Sequence, residues 1–307
     1  MKRLIECNFP KQLISWMADY LRNRSQAVRL GVTKSDEVHV LSGVPQGSIL
    51  GPYLYSFSTA TYAPLEPTTS VIKYADDTSL VLPLYKCTNN QHVCDEHNHL
   101  LLWSKENDLR MNFKKCKVLV IRKPNVNHDF YPDLSLPDLQ VVTHLKILGV
   151  IFNDKLTWSD HVQYTIKKCS RFLYAIRTLR NSLSPKSLML FYHSLVRPHI
   201  EYCAPLFIGT SNTENERLSR LQSRFHRIVC HKDCTCSLFS DVEMRRMILC
   251  LRFLHQMMSS DHVLHEYLPP ISKTGRFVLP YRRTQKRSKT FSLYAAMIFN
   301  AHLKRKM

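Results

Sequence analysis

Two adjacent carboxylates, Asp76 and Asp77, lie between short apolar runs in the stretch V-I-K-Y-A-D-D-T-S-L-V-L, Val71 to Leu82. Apolar runs on either side of a short polar break predict a β-hairpin that carries both acids at its turn, facing out of the sheet. Beside a third carboxylate from a neighbouring strand, such groups can ligate Mg²⁺, and two ions clamp the attacking and leaving oxygens of a phosphoryl transfer. An Asp-rich turn also needs no function to explain it, so a solvated surface turn is the competing reading. A second stretch, G-V-P-Q-G-S-I-L-G-P from Gly43 to Pro52, brackets Gln46 and Gly47 with glycine and proline. There the backbone can approach a ligand closely and present an amide side chain; a plain tight loop is the alternative.

The elements that must position these residues follow from periodicity. Pro10 stands at the first turn of a short helix with Leu13, Trp16, Met17, Tyr20 and Leu21 at helical spacing, ending near Arg24. Gln26 to Leu30 and Val38 to Leu41 predict a hairpin joined through Lys34 to Glu37. Val93 to Leu109 reads as a helix and Cys116 to Ile121 as a buried strand, with a loop from Pro124 to Asp138. Leu145 to Phe152 reads as a further strand, and Gly149 inside it marks a bulge or a close approach by another backbone.

From Ser159 the pattern turns helical, with Val162, Ile166, Cys169, Leu173 and Ile176 on one face and Lys167, Lys168 and Arg171 on the other. Ser184-Pro185 caps a helix carrying Leu188, Phe191 and Leu195. After Thr213, an apolar stripe of Leu218, Leu221, Phe225 and Ile228 runs beside Arg217, Arg220, Arg224 and Arg227. Four guanidinium groups in a row face nucleic-acid phosphates or form a solvated face. The fold class expected from these elements is α+β.

With 307 residues and 44% hydrophobic content, the chain can build about two ordinary cores. Its formal charge of +19 points to an acidic polymer as partner, nucleic acid in preference to an anionic membrane. Met1-Lys2-Arg3 precedes only two apolar residues before Glu6, so no signal-peptide core is read and an intracellular protein is expected. Ten cysteines without a secretory signal predict free thiols. The dense patch Cys230, His231, Cys234 and Cys236 lacks paired C-x-x-C spacing, and incidental thiols are expected there rather than a metal. A basic run (Arg282, Arg283, Lys286, Arg287, Lys289) near the end of the chain reads as a solvated tail or as a phosphate contact.

The order and spacing of these pieces resemble the reverse transcriptase of non-LTR retrotransposons. Gly43 to Pro52 resembles the family's template and nucleotide contact loop, and Tyr74-Ala75-Asp76-Asp77 its catalytic hairpin. Asn112 to Lys115 resembles the next palm motif, in which Lys115 matches the proposed general acid to the leaving pyrophosphate. Leu148-Gly149, with Lys146 beside it, resembles the primer grip. Leu156 to His161 and Leu195 to Tyr202 are similar to the thumb, and Arg245-Arg246 and Phe299-Asn300 to the segment beyond it. The resemblance implies a partial right-hand polymerase palm over 1–153, a helical thumb over 154–230 and a basic segment over 231–307. It implies RNA-templated addition of deoxynucleotides, with Mg²⁺ or Mn²⁺ as cofactor and an RNA template and DNA primer as partners. The family's first metal-binding strand, of F-x-D type, is not found before Gly43, and Ala60-Thr61 stands where Asn-Asp is usual. A polymerase fragment that is inactive without the missing half is therefore expected, the alternative being a non-catalytic nucleic-acid-binding protein.

Overall fold

A computed structural model describes residues 2–41, 43–85, 90–121, 136, 138–229, 241–281 and 290–306. It is a mixture of helices and small two-stranded sheets, as α+β implies. Two compact units divide the chain: Met1–Cys116 with Val126–Leu139, and Lys117–Asn125 with Gln140–Met307. The division thus falls ahead of residue 153 and groups the strands after 139 with the helices.

In the first unit, α1 (Lys2–Glu6) and α2 (Lys11–Leu21) precede four short strands. Pro10 caps α2 from outside instead of opening its first turn. The expected hairpin is nested: β1 (Ser25–Gln26) pairs with β4 (Val38–His39), and inside it β2 (Arg29–Leu30) pairs with β3 (Thr33–Lys34). The chain reverses at Gly31, φ +61°, because β-hairpin turns need a left-handed residue that glycine supplies without a clash. Lys34 therefore belongs to a strand, and Ser35 forms a kink whose N–H and hydroxyl both bond to Val28. Then come α3 (Leu50–Thr59), β5 (Ser70–Tyr74), β6 (Asp77–Val81) and α4 (Gln91–Glu106).

In the second unit, β7 (Lys117–Leu119) pairs in parallel with β8 (Gln140–Val142), shorter and less buried than the Cys116 to Ile121 strand expected. Leu145 to Phe152 is two strands, not one: β9 (His144–Ile147) and β10 (Val150–Asn153) pair across a turn at Leu148 and Gly149. Both turn residues are left-handed, at φ +46° and +87°, which is why a glycine stands there. The side chain of Tyr202, not another backbone, makes the close approach to Gly149.

Helices α5 (Ser159–Leu179), α6 (Pro185–Phe191), α7 (Arg197–Glu201), α8 (Asn212–Val229), α9 (Val242–Met257) and α10 (Phe291–Lys306) build the rest. Their core holds Val162, Cys169 and Ile176 against Leu218, Leu221 and Phe225, the two stripes read from periodicity. Between α6 and α7 the periodicity fails. Leu188, Tyr192, Val196 and Ile200 are the buried positions, a spacing of four, while Leu195 faces out at 39% exposure. A π-helical segment, Tyr192–Val196, widens the turn and moves the inward position from 195 to 196.

Candidate catalytic turn and nucleic-acid surfaces

The register Tyr74↔Asp77 leaves only Ala75 and Asp76 in the turn of β5 and β6. Asp76 therefore projects from the tip, whereas Asp77 is the first residue of a strand, which corrects the expectation of both acids in the turn. Ala75 is left-handed at φ +52°, a conformation that costs a residue with a Cβ about 1–2 kcal/mol. Asp77 shares a sheet face with its partner Tyr74 and with Ile72, and all three are solvent-exposed. Across the gap, α3 brings Tyr55 within electrostatic reach of Asp76, whose charge, after burial itself, holds the phenol above its usual range.

The other face of β5 is anchored. Lys73 Nζ donates to Thr59 O at 2.6 Å and lies 5.3 Å from the ring centres of both Tyr62 and Trp103. Such cation–π contacts favour a charge kept out of bulk water. Tyr62 in turn donates to Glu96 at 2.5 Å, and Leu65 N–H donates to the other oxygen of that buried carboxylate at 3.0 Å. Lys73 thus pins the Asp76 hairpin to the end of α3 and to α4. The period-2 alternation that puts Lys73 on the same face as Val71 was the available signal for it.

The loop before α3 keeps Gln46 and Gly47 exposed, with Gly47 at φ +76° and open space where a Cβ would stand. Among the described residues the Gln46 amide has no hydrogen-bond partner. Arg24 Nη2 donates to Gly43 O at 2.8 Å, and Ser48 Oγ takes the N–H of Gly51 at 3.0 Å. Lys115 lies on the exposed turn that follows Asn112, with its own N–H on Asn112 O at 2.9 Å. No ion pair joins it to Asp76 or Asp77 among the described residues. No group of three His, Cys, Asp or Glu among the described residues is placed to hold a metal ion, so Asp76 and Asp77 stand as a pair. The Cys230 to Cys236 patch and the Arg282 to Lys289 run lie outside the described residues.

In the second unit, Lys146 on β9 donates to Tyr164 Oη on α5 at 3.0 Å and lies 4.8 Å from its ring centre. The Lys146 hydrogen bond first, with the charges of Lys146, Lys168 and Arg171, pulls the Tyr164 phenol below its usual range. Lys146 thus touches Tyr164 directly while the charges of Lys168 and Arg171 act on it through space; Lys167 faces solvent and Lys168 is half-buried. On α8 the arginines are not equivalent. Arg217 is tied to Glu214 at 2.9 Å and to Gln163 of α5. Arg220 pairs with Glu216 at 2.9 Å and remains exposed, Arg227 donates to Ser223 O at 3.4 Å, and Arg224 is exposed. Periodicity placed all four on one side but could not show that Arg217 fastens α8 to α5.

Arg245 and Arg246 are buried, at 7% and 3% exposure. Arg245 pairs with Glu201 and donates to Gln222 at 2.9 Å; Arg246 donates to Asn215 and to Phe207 O, each at 3.0 Å. Asn300 forms a reciprocal pair with the backbone of Phe277, both bonds 2.9 Å. These residues join helices and loops, and Arg246 with Asn215 also lines a small cleft beside Asp241 and Tyr294.

Residues 1–152 match the protein family described as reverse transcriptase (RNA-dependent DNA polymerase). The chain is 28% identical over 241 residues to the probable RNA-directed DNA polymerase from transposon BS of Drosophila melanogaster, covering 74% of this chain and 26% of that protein. It is 27% identical over 233 residues to the RNA-directed DNA polymerase from mobile element jockey of the same fly, covering 70% and 25%. A third relative, the probable RNA-directed DNA polymerase from transposon X-element, is 24% identical over 244 residues. The chain spans about a quarter of the length of these curated relatives. No solved structure matches it.

Proposed function

We propose, for a chain whose first 152 residues are related to the reverse transcriptases of non-LTR retrotransposons, that it carries the catalytic turn and the primer-holding surface of an RNA-directed DNA polymerase. The observation that carries this reading is Asp76 at the tip of a tight, strained hairpin anchored from behind by Lys73. Strain kept at a turn by surrounding structure is a mark of a functional site.

Hard carboxylate oxygens suit divalent cations, and Asp76 with Asp77 supplies part of such a donor set. Mg²⁺ or Mn²⁺ bound there would lower the charge barrier between a primer hydroxyl and the phosphate it attacks. In the chain's own part, Gln46 and Gly47 contact template and nucleotide through an amide and an open backbone. Lys115 is the candidate proton donor to leaving pyrophosphate. Leu148 and Gly149 hold the primer end, and Lys146, Lys167, Lys168 and Arg171 meet phosphates. A further acidic ligand comes from a polypeptide segment or subunit outside the described residues.

Primer extension tests this. With an annealed RNA template and DNA primer, deoxynucleotides and Mg²⁺ or Mn²⁺, this chain alone is expected to extend nothing. Joined to a segment that supplies the missing carboxylate strand, it should extend, and Asp76→Ala should lower the rate by about 10⁴ or more. Undiminished extension by the joined Asp76→Ala protein overturns the reading. The cations gathered around Tyr164 favour a second reading, a nucleic-acid-binding protein without catalysis. It predicts salt-dependent binding with no extension in either form.

A further inference from the structure

The turn of β9 and β10 needs help to hold its shape. Both its residues are left-handed, and the favoured sequences for such a turn put Asn or Asp before Gly. Here the first position is Leu148, whose side chain offers the strained backbone no local hydrogen bond. The second unit supplies the missing bond from the end of α7. Tyr202 Oη donates to Leu148 O at 2.6 Å, and a Cβ at Gly149 would stand 3.3 Å from Tyr202 Cε1. One tyrosine therefore grips the carbonyl of one turn residue and packs on the face of the next.

Tyr202 is itself held. It follows Glu201 at the end of α7, with its N–H on Pro198 O at 2.9 Å. The Glu201 carboxylate takes Arg197 Nε at 2.9 Å and Arg245 of α9, and Arg245 reaches on to Gln222 of α8 at 2.9 Å. A buried guanidinium whose partners come from two other helices has little freedom to move, and neither has the residue next to its carboxylate.

We propose that Tyr202 is a positioning residue that holds the Leu148–Gly149 turn in the shape that meets a primer end, and that Arg245, through Glu201, holds Tyr202 there. The primer end rests on the function proposed above; the anchoring of the turn does not. α9 thereby gains a role beyond closing the helical core, because it sets a turn nearly a hundred residues earlier in the chain.

Hydrogen exchange on the full chain, followed by mass spectrometry, separates the two parts. Tyr202→Phe keeps the ring and removes only the hydroxyl. Exchange in the 145–153 peptide should accelerate about three- to tenfold, the size of one lost hydrogen bond, while α8 peptides stay unchanged. Glu201→Gln, which weakens the hold of Arg245, should act in the same direction and less strongly. In the Tyr202→Phe protein, unchanged exchange at the hairpin overturns the proposal, and so does equal acceleration in α8, since removing that hydroxyl leaves the Arg245 bond to Gln222 of α8 in place. In a second arm, annealed RNA template with DNA primer should protect the 145–153 peptide of the unsubstituted protein, and a blunt duplex should not. Protection by neither, with the Tyr202→Phe effect present, rejects the primer contact and leaves the anchor standing.

Discussion

Gly47 and Gly51 stand four residues apart at the entry to α3 and are required for different reasons. Gly47 has a left-handed backbone and open space around it, whereas a Cβ at Gly51 would stand 2.7 Å from the carbonyl oxygen of Pro45. Asparagine tolerates the left-handed region, so Gly47→Asn should leave stability nearly unchanged. Gly51→Ala forces the loop off the helix and should cost about 1–3 kcal/mol in urea unfolding followed by circular dichroism. Titration argues at the same scale. His161 is buried against Phe207, their ring centres 4.5 Å apart, and its Nδ1 accepts the N–H of Ile151 at 3.3 Å. Burial first, then the charges of Arg246 and Lys146, hold its imidazole below the usual range. A base whose folded value is depressed binds its proton more readily when unfolded, so stability rises with pH across that interval. The second unit should therefore lose stability as pH falls below about 6.5, the ordinary histidine value, towards the depressed one. His193 and His199 shift in the same direction. Replacing His161 with Asn should weaken the pH dependence of the thermal midpoint, and an unchanged profile would reject the role given to it.

At the scale of elements, α8 and the π-helical segment make opposed predictions about neighbouring residues. Arg217 has partners on α5 as well as on α8, so Arg217→Gln should destabilise the helical unit and scarcely alter the salt dependence of nucleic-acid binding. Arg220 and Arg224 are exposed, and each phosphate contact contributes roughly −0.7 to −0.9 to the slope of log affinity against log salt. Replacing both with Gln should flatten that slope by about 1.4 to 1.8; an unchanged slope would leave them as solubilising surface. Along the π-helical segment, Val196→Ala opens a cavity in a side chain with no exposure and should cost roughly 1–3 kcal/mol. Leu195→Ala, on the outward side, should cost within about 0.5 kcal/mol. A regular α-helix through both residues would reverse that order.

For the whole molecule, apolar burial is unevenly shared between the two units. Among the described residues, Leu4, Tyr62, Val93 and Leu136 are the buried apolar side chains of the first unit, and the remaining ones belong to the second. The first unit also exposes Leu30, Val32, Leu41 and Ile49 at 83% or more. Area removed from water is the main stabilising term, so the two units should not unfold together. Heating should give two transitions, the first accompanied by binding of a hydrophobic dye and by rapid exchange in peptides from 25–81. A single sharp transition without dye binding would contradict this. No helix among the described residues is long and apolar enough to cross a membrane.

Much of this protein was legible in its residue order because the deciding interactions are local. A short polar break between apolar runs suffices to call for the Asp76 hairpin, and the stripes of α5 and α8 need only the helical period. The likeness to reverse transcriptases was legible too, from short motifs, and residues 1–152 match that family. Where a residue's place depends on a partner distant in sequence, local pattern holds no information. Periodicity cannot say that Arg245 is buried, since what makes burial tolerable is a carboxylate 44 residues earlier on another helix. Nor could it place Val196 inward, because a π turn alters the period itself. A glycine in an apolar run suggests a bulge as readily as a turn, and only pairing His144 with Asn153 makes Gly149 the end of a hairpin. The four arginines of α8 share one spacing, yet tertiary contact alone separates the one that fastens α8 to α5 from those left exposed. Helical and strand periods are properties of the backbone, whereas the choice among satisfied charge, buried charge and free charge is made by whatever the finished fold brings alongside.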